Sequence, residues 1–255
     1  MVRSFADVKS SQATDILKII AVITMIIDHI GAVFYPQYRI LRYIGRVAFP
    51  LYAYCIAVGC AATRDIRKYA LRMFASAMLI QPLYVTSMNH LKMLSFDWAH
   101  NFYRLDLIFR HYYLTDHHVI HFTLLLGILV IWTIRDRKYP LTALMLAVCW
   151  YTQSYYDYGM YGIYLMVMFY AFLDRPLASV VWVGLYMAWY GLNGTITTRL
   201  YPLPTRISVL SQFYALTALP LIYLPMKSRF RLNKWIYYAL YPAHLVVFYL
   251  VRLYS

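Results

Sequence analysis

The chain has 255 residues, of which 62% are hydrophobic and only 13% charged, and its mean hydropathy is +0.54. Soluble domains carry roughly 25% charged residues, so the composition excludes an ordinary water-soluble enzyme and predicts an all-α, polytopic helical membrane bundle. A net charge of +14 would suit nucleic acid, but most of the basic excess falls in alternate loops, where membrane topology accounts for it without such a ligand.

Apolar runs near the ~20 residues that cross a hydrocarbon core are expected at 16–34, 43–62, 70–88, 119–134, 140–154, 159–173, 178–194, 207–225 and 235–252, nine spans in chain order. Residues 1–14 form a short leading segment. No long linker, low-complexity tract or repeat interrupts the sequence, so 1–255 reads as a single transmembrane domain. With nine spans, one set of alternate loops holds 15 of the 24 basic residues and the opposite set 8. The positive-inside rule then places the N-terminus in the cytoplasm and the C-terminus in the periplasm. The first apolar run is long for a signal-peptide core and no small-residue cleavage site follows it, so it is expected to remain as an anchor. Cys55, Cys60 and Cys149 fall inside predicted spans and imply no disulfide framework.

Within the first span, "TMIIDHIGAVF" sets Asp28 beside His29 in an apolar run. Ionisable groups at such depth are costly and lean functional. At 100° per residue, Lys18 and His29 share a helix face about 16 Å apart, while Asp28 points about 100° away from His29. In the second span, "ILRYIGRVAFPLY" carries Arg42 and Arg46 at i, i+4 on one face and at a depth similar to Asp28. A carboxylate–guanidinium pair keeps such ions away from bulk water at least cost. Gly45 permits close helix approach, and Pro50 can kink the span and free a carbonyl. Gln81 in the outer half of its span, Asp157 on a short outer turn, His121 near the outer start of its span, and His244 near mid-membrane just after Tyr241 are expected to converge, which suggests a polar cavity opening outward. Each also has a plainer reading: Gln81 as helix–helix glue, Asp157 as a loop acid, either histidine as a satisfied core contact.

"DHHVIH" places His117 and His121 at i, i+4, a spacing that can hold a metal ion, but no carboxylate or thiolate completes a set and no metal is expected. The segment 89–118, rich in histidine and aromatics, is expected along the membrane interface, with a cover over the cavity or a contact with a protein partner as the alternatives. No phosphate-binding glycine pattern, nucleophilic serine elbow or zinc signature is present. The basic loops "TRDIRKY", "IRDRKY" and "MKSRFRLNK" suit either a phosphorylated cofactor or the ordinary positive-inside bias.

The segments "LKIIAVITMIIDHIGAVFYP", "LRYIGRVAFPLYAYCIAVG", "KYALRMFASAMLIQPLY", "FTLLLGIL", "DYGMYGIYLMVMFY", "QFYALTALPLIYL" and "YYALYPAHLVVFYLV" occur in this order. Together they resemble the TraX family, the pilin-modifying proteins of conjugative plasmids, over nearly the whole chain beyond residue 15. "IDHIG", "IGRVAFP" and "YPAH" are the most specific parts. "TDILKIIAVITMIIDH" is also similar to the wider acyltransferase-3 group of membrane enzymes, in which a basic residue and a catalytic histidine are separated by ten residues. Lys18 stands where that group usually has arginine. The resemblance implies an enzyme of the bacterial inner membrane that moves an acetyl group from acetyl-CoA to the N-terminal amine of a pilin subunit. Membrane lipid and other pilus-assembly proteins are its further implied partners.

The chemistry expected of the residues is direct acyl transfer. An α-amine with a pKa near ~8 must lose a proton before it attacks, and an imidazole such as His29 suits that role. The oxyanion that forms on the thioester carbon needs fixed donors, with Arg46 first and Tyr241 or His244 second. Asp28 would hold Arg42 and Arg46, and Lys18, Arg64, Arg67 and Lys68 would meet the donor's phosphates. A covalent acetyl-His29 intermediate is a second route. Two other classes stay open: a proton-coupled transporter or flippase built on Asp28, His29 and Arg46, and a non-catalytic pilin assembly factor.

Overall fold

The computed structural model describes residues 12–88, 101, 103–113, 118–198, 211–224 and 234–254. In chain order its helices are α1 (Gln12–Val33), α2 (Arg39–Gly45), α3 (Ala48–Ala62), α4 (Ile66–Met88), α5 (Leu105–Tyr113), α6 (Ile120–Arg135), α7 (Tyr139–Thr152), α8 (Gly159–Ala171), α9 (Pro176–Thr198), α10 (Ala218–Tyr223) and α11 (Lys234–Tyr254). Two 3-10 segments, Gln153–Tyr155 and Ser211–Thr217, precede α8 and α10. Among the described residues there is no strand, only an isolated bridge between His118 and Tyr156. The described residues are therefore all-helical in their regular structure. Among the described residues two stretches, Thr14–Val33 and Arg39–Ala62, are long and apolar enough to cross a membrane; Ile120–Arg135, Gly159–Ala171, Pro176–Leu192 and Ala239–Tyr254 are apolar but shorter.

Two expected spans are redrawn, and a proline explains both. The span expected at 43–62 begins at Arg39 and is interrupted at Arg46 and Val47. Pro50 has no N–H for the Arg46 carbonyl and its ring would clash there, so the helix breaks and restarts with Pro50 in the first turn of α3, where no donor is needed. In the span expected at 207–225, the described part is a seven-residue 3-10 segment leading into the six-residue α10. Pro220 occupies the same third position in α10 and denies the Leu216 carbonyl its α-helical partner.

The chain divides into two compact units, Met1–Thr63 with Tyr164–Asn233, and Arg64–Ile163 with Lys234–Ser255. In the first, α3 is buried nearly all round (Phe49, Leu51, Ala53, Ala57 and Cys60 among others), as a helix apolar on every face must be. α1 packs on α2 and α3 through Leu17, Ala21 and Met25, spaced i, i+4. Tyr52 of α3 donates to Met25 Sδ at 3.7 Å. On the other side of α3, Tyr54 meets the edges of Phe169 and Tyr223, and Tyr223 donates to Ser179. Gly191 of α9 lets the Phe213 ring approach so closely that a Cβ there would sit 3.0 Å from it.

The second unit is built on α4, which packs against α5, α6 and α11, while α7 packs on α6. Pro82 inside α4 removes the partner of the Met78 carbonyl, and the Tyr113 hydroxyl of α5 donates to that oxygen at 2.6 Å. Beside it the buried Gln81 amide clamps two other segments: Nε2 donates to Tyr112 O at 3.0 Å, and Oε1 accepts from the Val119 N–H at 2.8 Å. His118 brings its two ring nitrogens to Tyr155 O (2.7 Å) and Tyr113 O (2.8 Å). At the far side, Ser87 donates to Leu245 O while Arg252 donates to Ser87 O, both at 2.8 Å, which ties α11 to α4.

Candidate active site

The ionised residues of α1 and α2 meet in the first unit. Asp28 turns toward α2, where Arg42 Nη1 donates to its Oδ2 at 2.6 Å and to its main-chain oxygen at 3.1 Å. Arg46 Nη2 stands 3.9 Å from Oδ1, an ion pair outside hydrogen-bond range. Exposure of the Asp28 and Arg46 side chains is only 16% and 14%, so solvent screens this pair less than it would an exposed bridge. The cluster exists because two constraints coincide. The i, i+4 spacing aims both arginines at α1, and Gly45 between them clears space for the carboxylate. A Cβ on Gly45 would fall within 3.0 Å of Asp28 Cβ, Cγ and Oδ1. Gly31 serves the same contact from the other helix, since a Cβ there would lie 2.6 Å from Leu41 Cβ. Among these three ionised side chains the balance is two positive charges to one negative.

His29 follows Asp28 on α1 and is half-buried. α1 is continuous from Lys18 to His29, so the two share a face about 16 Å apart. Lys18 Nζ is held by Asp15 Oδ1 at 3.1 Å. At the α2 end, Tyr43 stacks on Tyr214 with centroids 4.5 Å apart, and Tyr190 of α9 lies within electrostatic reach of Arg46.

The remaining candidates lie in the second unit. His121 of α6 meets the edge of Tyr241 at 4.4 Å, Tyr241 meets His244 at 5.0 Å, and His244 meets Phe248 at 5.5 Å. Tyr241 and His244 are buried, and the buried His121 Nδ1 has no hydrogen-bond partner among the described residues. Asp157 contributes its carbonyl to the Thr123 hydroxyl. Gln81 is fully engaged as the clamp described above, the structural role its glue reading anticipated. Arg64, Arg67 and Lys68 are exposed. Arg67 lies 5.8 Å over the Trp132 ring, and Lys68 pairs with Asp65 at 3.7 Å. Asp65 caps α4 by accepting the Lys68 N–H at 3.1 Å, and that bond, ahead of the lysine charge, holds its carboxyl below the ordinary 3.8. His117 lies outside the described residues, and among those described no three His, Cys, Asp or Glu side chains gather as a metal site would require.

Sequence reasoning missed Asp15, Tyr190, and the stack of Tyr43 on Tyr214. The i, i+3 spacing of Asp15 and Lys18 was a usable signal. The other contacts join segments far apart in the chain and leave no local trace.

A search of known proteins adds three findings. A family model described as TraX protein matches residues 13–252. A probable fimbrial assembly protein, FimC of serogroup H1 from Dichelobacter nodosus, is 25% identical over 173 residues, 66% of each chain. An uncharacterized protein of Rickettsia prowazekii (strain Madrid E) is 52% identical over 40 residues, 16% of each chain. The chain thus spans 66% of the length of the first relative and 16% of the second. No solved structure matches. With all but its extreme ends accounted for by one family model, the chain belongs to the TraX family.

Proposed function

We propose that this chain is a multi-pass acetyltransferase of the bacterial inner membrane, with nine spans, a cytoplasmic N-terminus and a periplasmic C-terminus, that acetylates the N-terminal amine of a pilin. The observation that carries this reading is the Asp28–Arg42–Arg46 cluster, set one residue from His29 on an apolar helix and net positive by one charge. Family membership and the fimbrial assembly relative support a pilin as the acceptor. Acetyl-CoA is made in the cytoplasm and a processed pilin N-terminus lies outside. An enzyme joining them needs a basic group at the inner level and a proton acceptor at the outer one, and Lys18 and His29 occupy two such levels of one helix face.

In the proposed reaction His29 accepts a proton from the pilin ammonium. The freed amine attacks the thioester carbonyl, a C–N bond forms, and the developing oxyanion meets the Arg46 guanidinium, which Asp28 and Arg42 position. Collapse breaks the C–S bond, the extra proton on the added nitrogen passes to the departing thiolate, amide and coenzyme A leave, and His29 releases the first proton to solvent. Fixed charge of this kind is worth roughly 3–4 kcal/mol of barrier per donor in a dry site. Tyr241 and His244 are the second choice for that donor, and Asp157 is retained as a polar candidate. For the donor's phosphates, Lys18 is the candidate on the first unit, and Arg64, Arg67 and Lys68 are the separate candidates on the second.

The name of the fimbrial relative favours a second reading, a non-catalytic factor that holds pilin during assembly. Intact-mass measurement of pilin from cells with and without the chain separates the two. The enzyme reading expects pilin heavier by one acetyl group only when the chain is present. An unchanged mass with a changed pilin level would select the assembly reading.

A further inference from the structure

We propose that the turn between α6 and α7 is a binding surface for anionic phospholipid headgroups, with Arg137 as its central contact. α6 ends in a two-bond reversal: the Arg137 N–H returns to Ile134 O at 3.0 Å and the Lys138 N–H to Thr133 O at 2.9 Å. This closure requires a left-handed residue just past the helix and is usually filled by glycine. Here the residue is Arg137, with φ 55°. An L-residue carries a conformational cost there that glycine does not, and the reversal's own bonds need only its backbone. The exposed side chain is what glycine could not supply.

Its surroundings define the ligand. Arg135, Arg137 and Lys138 are exposed on the turn. One carboxylate stands against these three cations. Asp136 accepts from the Trp132 indole at 2.8 Å while pairing with Lys138 at 3.7 Å. The excess charge calls for an anion. A soluble phosphate would need nothing further, yet an apolar stripe runs directly from the turn along α7. Leu141, Leu144 and Val148 are 42%, 58% and 44% exposed at i, i+3, i+7, with Tyr139 at its head; Leu71 and Phe74 are exposed on α4. Basic heads over an apolar stripe, with Trp and Tyr at the junction, match a charged headgroup with acyl tails beneath it.

Titration of the detergent-purified full chain with phosphatidylglycerol or phosphatidylcholine, read by native mass spectrometry beside a thermal-shift assay, tests this. Phosphatidylglycerol should bind more tightly than phosphatidylcholine. Arg137→Gly should leave the lipid-free melting temperature unchanged or higher, yet weaken phosphatidylglycerol about fivefold, the share of one basic residue at an anionic surface. Phosphatidylcholine binding should not change. Equal affinity for the two lipids, or an unaltered phosphatidylglycerol affinity in Arg137→Gly, would overturn the proposal. So would a lower lipid-free melting temperature in that variant, which would make Arg137 a structural residue. Displacement of the lipid by inorganic pyrophosphate or coenzyme A would reassign the surface to a soluble phosphate.

Discussion

Replacing Gly45 by alanine sets two forces of opposite sign against each other. Helix propensity alone favours the change by at most about 1 kcal/mol, the value for a helix interior, and by less here because Gly45 is the last residue of α2. The added methyl, however, would fall within 3.0 Å of three Asp28 atoms, and neither partner can swing aside as the end of a long side chain could. Overpacking of this kind costs about 1–3 kcal/mol. Displacing Asp28 also breaks its 2.6 Å bond to Arg42, a charge-assisted contact worth about 1.5–3 kcal/mol. Allowing for overlap between these terms, the net expectation is a loss of about 2–4 kcal/mol. In a chain of this size that lowers the melting temperature by roughly 4–16 °C, measured by thermal shift in detergent, with a matching loss of pilin acetylation. Asp28→Asn is the control, because the carboxamide keeps the volume and removes only the charge. It should lower stability less than Gly45→Ala while still reducing acetylation. A Gly45→Ala protein as stable as wild type, or more so, would refute the packing of Asp28 against α2.

Arg46→Lys should depress acetylation severely while the chain still inserts, because an ammonium lacks the planar fork; unchanged acetylation would remove Arg46 from the oxyanion role. Gln81→Leu should cost about 2–4 kcal/mol in thermal unfolding, since it strands the buried Tyr112 carbonyl and Val119 N–H at once. A loss below about 0.5 kcal/mol would mean that these groups find other partners. Asp65 titrates below the ordinary 3.8 in the folded chain. Its contribution is therefore complete above pH 3.8 and disappears as pH falls through the lowered value. Asp65→Asn preserves an N-cap and should abolish that part of the acid dependence when melting is followed against pH.

The helices were legible because an apolar run near 20 residues leaves the chain few alternatives. Expected and observed bounds agree within a few residues for α6 and α7. The meeting of Asp28 with Arg42 and Arg46 was legible for a similar reason, since helical periodicity fixes both faces and only the depth must match. The helix breaks were harder. Pro50 and Pro220 stand in apolar runs that hydropathy reads as unbroken, and whether a proline bends a helix or ends it depends on what meets the freed carbonyl. At Pro82 the Tyr113 hydroxyl meets it, and α4 runs on through the proline to Met88. The ladder of His121, Tyr241 and His244 required knowledge of which helices pack together, and periodicity within one helix does not contain it.

The most direct test supplies the purified chain with acetyl-CoA labelled in its acetyl group and a peptide bearing the pilin N-terminus, then follows label in the peptide for wild type and His29→Ala. The account predicts labelled peptide from the wild type and none above background from a His29→Ala protein that inserts and melts as the wild type does. Equal labelling by the two proteins would contradict it.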